Sequence, residues 1–212
     1  MSQSVTIFSI HYGRQGFEQM HKCADFLVLL KAFDFFFLLL SERKFVPWYQ
    51  SRMIFPHPVY YHNLPIINGK SQLPGAGYGA LETKFDSKRS VFSTNIARAY
   101  GADANVERWL RSYTLRGGTL EIEDTFTING AETPNIVNFM TWGKVDISKL
   151  GVVILEAEGK QVALKYDAKR FTPSMVTIKP VREEWGSEVY RVSLTAVKVV
   201  DKGKYTFVIN KV

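Results

Sequence analysis

A chain of 212 residues with 46% hydrophobic content is long enough to bury a sizeable core and too apolar to be disordered. Its formal charge of +7, from 27 basic and 20 acidic residues, favours an anionic partner. The lysines and arginines are scattered without a run, so nucleic acid is not the expected partner. Cys23 is the only cysteine, which excludes an internal disulfide framework and a thiolate zinc cluster.

Residues 1–55 read differently from the rest. Between Phe26 and Leu40 lies an apolar block broken by Lys31 and Asp34. Within it Phe26, Leu29, Leu30, Phe33, Phe36, Phe37 and Leu40 recur at helical spacing. The expected element is an N-terminal helix with a broad apolar face that must find cover. At a rise of about 1.5 Å per residue it would span about 22 Å, short of a hydrocarbon core of about 30 Å, and it would carry two charges. A membrane span is therefore not expected. Nor does the block read as a signal peptide, because Ser41-Glu42-Arg43-Lys44 follows it where a small-residue cleavage site should stand. The compartment is left open.

Residues 56–212 form the expected second unit, and its first feature is the stretch from Tyr61 to Gly75. Asn68-Gly69 sits between apolar Leu64, Ile66 and Ile67 and the following Gln72 and Leu73, a strong hairpin signal because both turn residues tolerate positive φ. Pro65 has no amide donor, so this arm belongs at a sheet edge or at a strand start. His62, three residues earlier, can then reach a site rather than a dry core, which makes it a candidate ligand or catalytic group.

From Ala80 onward the signals are β. Strands are expected at 80–85, 91–99, 106–115, 119–128, 136–142, 152–156, 162–166, 175–178, 189–200 and 205–209. Turn residues such as Arg116-Gly117-Gly118, Asn129-Gly130, Glu158-Gly159-Lys160 and Asp201-Lys202-Gly203 separate them. Alternation is clean through Leu120, Ile122, Phe126 and Ile128, except that Asp124 falls on the apolar side and so needs a hydrogen-bonded, structural role. Ten or more strands with no convincing helix between them predict an antiparallel β-sandwich.

Familiar catalytic signatures are absent. Gly69-Lys70-Ser71 lacks the earlier glycine of a phosphate loop, since Leu64 stands there. Gly75-Ala76-Gly77-Tyr78-Gly79 is followed by no amphipathic helix that could hold a pyrophosphate. Glu121 and Glu123 would share one face of a strand about 7 Å apart, toward solvent, and do not make a pair of glycosidase carboxylates facing a sugar from opposite sides.

Tyr61-His62-Asn63-Leu64-Pro65 with Asn68-Gly69 and Gln72 resembles the His-Asn-x-x-x-x-(Asp/Asn)-Gly-x-x-Gln segment of the heparinase II/III-like polysaccharide lyases. The resemblance runs from about Tyr60 to Val212, roughly three quarters of the chain, through the stretch Val106 to Leu115, then Glu121-Ile122-Glu123-Asp124, Trp185-Gly186 and Tyr190-Arg191-Val192. It implies β-elimination of an acidic, uronate-containing polysaccharide. A base removes the proton α to the carboxylate, an acid protonates the leaving oxygen, and neutralising groups stabilise the enolate-like intermediate.

The same resemblance implies that His62 is a zinc ligand, joined by a histidine and an aspartate from two upstream strands. It also implies a helical toroid carrying most of the catalytic groups, and a periplasmic or secreted setting. The sequence departs from the pattern there. His11, His21 and His57 form no His-x-His pair, and ahead of about Trp48 the chain reads as truncated or rearranged. Zinc takes about four ligands, so the site is expected to be incomplete. The leading expectation is the C-terminal β-sandwich part of such a lyase, inactive alone and partnered by a toroid that this sequence lacks. The alternative is a noncatalytic carbohydrate-binding or assembly module with Trp109, Trp142, Trp185 or tyrosines as a sugar platform.

Overall fold

The computed structural model describes residues 63–74, 77–157, 159–179 and 188–212. The expected helix at 26–40, His57, His62 and Trp185 lie outside the described residues.

Among the described residues, twelve strands make two antiparallel sheets. In chain order they are β1 (Pro65–Ile66), β2 (Leu81–Asp86), β3 (Val91–Asn95), β4 (Val106–Arg116), β5 (Thr119–Ile128), β6 (Ile136–Thr141), β7 (Lys144–Asp146), β8 (Val152–Ala157), β9 (Lys160–Lys165), β10 (Phe171–Ile178), β11 (Val189–Ala196) and β12 (Lys202–Lys211). The smaller sheet has the order β1-β6-β11-β10 and the larger β2-β3-β4-β5-β12-β9-β8-β7. Strands β4, β5 and β12 form the centre of the large sheet. Period-two alternation sends Trp109, Tyr113 and Leu115 of β4, Leu120, Ile122 and Phe126 of β5, and Tyr205, Phe207 and Ile209 of β12 to one buried face.

The small sheet covers that face. Val137 and Phe139 of β6, Phe171 of β10 and Val192, Leu194 and Ala196 of β11 belong to the same apolar cluster as the large-sheet residues. Rings cross the gap: Phe139 meets Phe207 edge-on at 5.4 Å between centroids, and Phe171 meets Tyr205 at 4.8 Å. Within the large sheet Trp109 stacks on Phe126 at 4.6 Å. Such edge-to-face and offset pairs contribute about 0.5–1.5 kcal/mol each beyond their buried area.

The expected β-sandwich is thus the observed one, with local differences. Strand β7 is too short to show a period. Residues 197–200, expected to continue β11, leave the sheet after Ala196, where the Val197 amide bonds the Arg170 carbonyl. Val91 to Ala99 divides into β3 and a 3₁₀ turn at Ala97–Ala99, because the Asn95 carboxamide accepts from the Ala97 and Trp109 amides and takes the backbone out of the ladder.

Candidate functional site

Asn68 and Gly69 have φ of 50° and 73°, and Ile67 and Lys70 exchange both backbone hydrogen bonds across them, at 2.9 and 2.8 Å. The primed turn expected from Asn-Gly is present. Its arms do not continue as a two-stranded hairpin, however. On the incoming side, β1 pairs with β6, Pro65 opposite Val137 and Ile66 opposite Ile136, at the edge of the small sheet. On the outgoing side, Gln72 pairs with Tyr100. The segment therefore stitches the small sheet to the loops at one end of the large sheet.

Side chains fix it at each step. The Asn68 carboxamide oxygen accepts from the amides of Glu132 and Thr133, at 2.8 and 3.1 Å, while its amide nitrogen donates to the Ala104 and Gly130 carbonyls, at 3.4 and 3.5 Å. Its own backbone N–H donates to the Asn135 side chain. Asn138 donates to the Leu64 carbonyl and Ser193 donates to Asn138. The Tyr100 hydroxyl donates to the Pro65 carbonyl at 2.6 Å. Asn63, next to His62, accepts from the Met140 amide at 2.6 Å through its side-chain oxygen.

The deepest support is ionic. Arg111 of β4 and Asp124 of β5 face each other in register. They form a bidentate pair, Nε to Oδ1 at 2.7 Å and Nη2 to Oδ2 at 2.6 Å, with residue exposures of 3% and 0%. Arg111 Nη1 donates to the Asn63 carbonyl at 3.1 Å. Burial alone would lower the Arg111 pKa, but the Asp124 carboxylate against it more than offsets that, and the guanidinium is held above its ordinary value. The phase-breaking Asp124 has the structural role expected of it.

His62 lies outside the described residues, so the structure fixes only its neighbour, Asn63. Trp109 is fully buried and cannot be the sugar platform considered from sequence; Trp142 is half-buried, packed on a small apolar cluster. Glu121 is exposed, as expected, and Glu123 pairs with Lys204 at 2.5 Å, a surface contact. Sequence reasoning missed Arg111, Tyr100 and Asn138. Of these only Arg111 left a signal, a charge in phase with Trp109 and Tyr113. Around the 3₁₀ turns Ala97–Ala99 and Ala102–Ala104 lies an open groove of about 520 Å³ lined by Tyr78, Arg98, Glu107 and Asn129, among others.

No protein-family model matches the sequence, and no curated protein matches it. Solved structures do match. Two are of a heparinase III gene product, one with methylated lysines: TM-score 0.50 in both, 15% identity for the methylated form and 14% for the other. Each match covers 71% of this chain and 23% or 24% of the other. The described residues have a heparinase-like fold, and the chain spans about a quarter of the length of those structures.

Two predictions follow from this geometry. Replacing Arg111 with Met leaves Asp124 buried without its partner and should cost about 3–5 kcal/mol of stability. Asp124→Leu should cost a similar amount, whereas the double variant should cost at least about 2 kcal/mol less than the sum, as read from urea unfolding. The second concerns alkali. Burial raises the pKa of both Tyr100 and Tyr113. Their contribution is therefore fully present below the ordinary tyrosine value of about 10 and is lost as pH rises beyond it, because the unfolded chain gives up these protons first. Unfolding free energy should fall above about pH 10, and Tyr100→Phe should flatten that fall while costing about 1–2 kcal/mol at neutral pH.

Proposed function

We propose that this chain is the β-sandwich part of a heparinase II/III-like polysaccharide lyase, acting on uronate-containing polysaccharide together with a helical toroid and inactive alone. The observation that carries the reading is the fold it shares with about a quarter of heparinase III. The polar architecture supports it. Arg111, paired with Asp124, Asn138 and Tyr100 donate to the carbonyls of Asn63, Leu64 and Pro65, and Asn68 fixes the turn that follows. On this reading the sandwich supplies position and rigidity, and the proton-transfer groups come from the toroid. The net charge of +7 suits an acidic sugar.

His62 is the ligand we assign to this chain in a zinc site that braces the sandwich. Asp124 is not a second ligand, because both its oxygens already accept from Arg111. Among the described residues no three of His, Cys, Asp and Glu come together. The described residues thus do not make a zinc site of their own, and the remaining ligands would come from beyond them.

The test is ultraviolet absorbance of the unsaturated uronate product, with heparin, heparan sulfate, alginate and hyaluronan, with and without zinc. The purified chain should give no product on any of them. Product should appear when the separately expressed toroid of a heparinase II/III-like lyase is added. Product from the chain alone would refute its inactivity. Silence in every mixture, together with retention on immobilised heparan sulfate that persists at high salt, would favour the noncatalytic carbohydrate-binding module instead.

A further inference from the structure

The open groove around the two 3₁₀ turns gathers polar side chains that the fold itself does not use. Tyr78, Arg98, Asn105, Glu107 and Asn129 line it, and none of them has a side-chain hydrogen bond or ion pair among the described residues. Every other asparagine among those residues has its carboxamide bonded within the chain: Asn63, Asn68, Asn95, Asn135, Asn138 and Asn210. Arg89, Arg108 and Arg111 pair with carboxylates and Arg170 lies over the Tyr205 ring; Arg98 does neither. The walls of the groove, by contrast, are firmly held. Glu82 has a φ of 52° inside β2, where the register slips between Leu81 and Lys84, a costly conformation for a residue with a long side chain. Its carboxylate accepts from Asn95 at 3.2 Å and from Arg108 at 2.6 Å. Asn95 in turn accepts from the Ala97 amide and so fixes the turn that carries Arg98. On the other side Asn105, at a φ of 52°, closes the second turn, and its carbonyl accepts from the Asn129 amide at 2.8 Å.

We propose that this groove binds an acidic saccharide, with Arg98 on its carboxylate or sulfate, Asn105, Glu107 and Asn129 on ring hydroxyls, and Tyr78 beneath the ring. The volume of about 520 Å³ suits a small ligand. A single guanidinium matches one carboxylate or sulfate. Two carboxamides and a carboxylate match hydroxyl groups, which both donate and accept. A tyrosine ring offers a flat apolar surface for the C–H face of a pyranose. Glu107 argues against a compact polyanion such as a phosphate, which it would repel. The groove is separate from the place where His62 joins the fold. It opens at the start of β4, whereas Asn63 is bonded to Arg111 at the middle of that strand. The proposal deepens the lyase reading, and rests on it for the polymeric, uronate nature of the sugar.

Isothermal titration of the full chain with tetrasaccharides of heparin and hyaluronan, and with neutral chitotetraose, tests it. At least one acidic tetrasaccharide should bind, and chitotetraose should bind at least about tenfold more weakly. Arg98→Gln should weaken the acidic sugar at least about tenfold, and Asn129→Ala at least about threefold. Arg116→Gln removes the same charge from an exposed position at the far end of β4 and should weaken it less than about twofold. All three positions are exposed, so urea unfolding should report an unchanged fold. No binding of either acidic sugar, equal tightness for chitotetraose, or equal losses from Arg98→Gln and Arg116→Gln would each overturn the proposal. The toroid mixture keeps the two readings apart. Product there with no tetrasaccharide bound by the chain would retain the lyase reading and overturn the groove. Silence there with Arg98-dependent binding would retain the groove, as the site of a noncatalytic module.

Discussion

A guanidinium and a carboxylate sealed between two sheets are the constraint on which the rest of this sandwich depends. Taking two charges out of water costs several kcal/mol per ion, and their attraction recovers it only when geometry is good and the remaining donors are satisfied. Arg111 and Asp124 meet both conditions. The pair is bidentate, and the donor left over, Nη1, goes to the carbonyl of Asn63. The last term ties the interior of the large sheet to the segment that enters at the small sheet's edge. Removing either charge would therefore disturb more than one strand pair. It would strand its partner in the core and release the chain just after His62.

The polar residues of the His-Asn segment fall into place around that pair. Asn63 closes the edge of β6, Asn68 combines a left-handed backbone with four side-chain hydrogen bonds, and Gln72 pairs with Tyr100. Each answers a local demand of the backbone: an edge amide needing an acceptor, or a primed turn between β1 and a segment bridged to the loop around Tyr100. Buried polar groups bound in this way rigidify the place they occupy.

Much of this was legible from residues close in sequence. Asn68-Gly69 announced its turn, Pro65 its edge position, and the alternation through β5 its buried face together with Asp124 as the exception. What sequence concealed depends on contacts across 35 to 77 positions, such as Tyr100 to Pro65 or Met140 to Asn63, for which no periodicity exists. The same limit made Trp109 look like a sugar platform. An aromatic residue on a strand reads alike whether it faces solvent or, as here, stacks on Phe126 under a second sheet. The hairpin was half legible: local chemistry set the turn, while the partners of its arms were decided by β6 and by the loop around Tyr100.

Native-state hydrogen exchange tests most directly whether the ion pair and the His-Asn segment form one unit with the core. The amides to follow are Met140, bonded to Asn63, and Asn68, bonded to Asn135. The account predicts that they exchange only through the same global opening that releases Phe207 and Ile209 of β12. Exchange of Met140 and Asn68 through a low-energy local opening, with β12 still protected, would mean that the segment is an appendage to the sandwich and would contradict it.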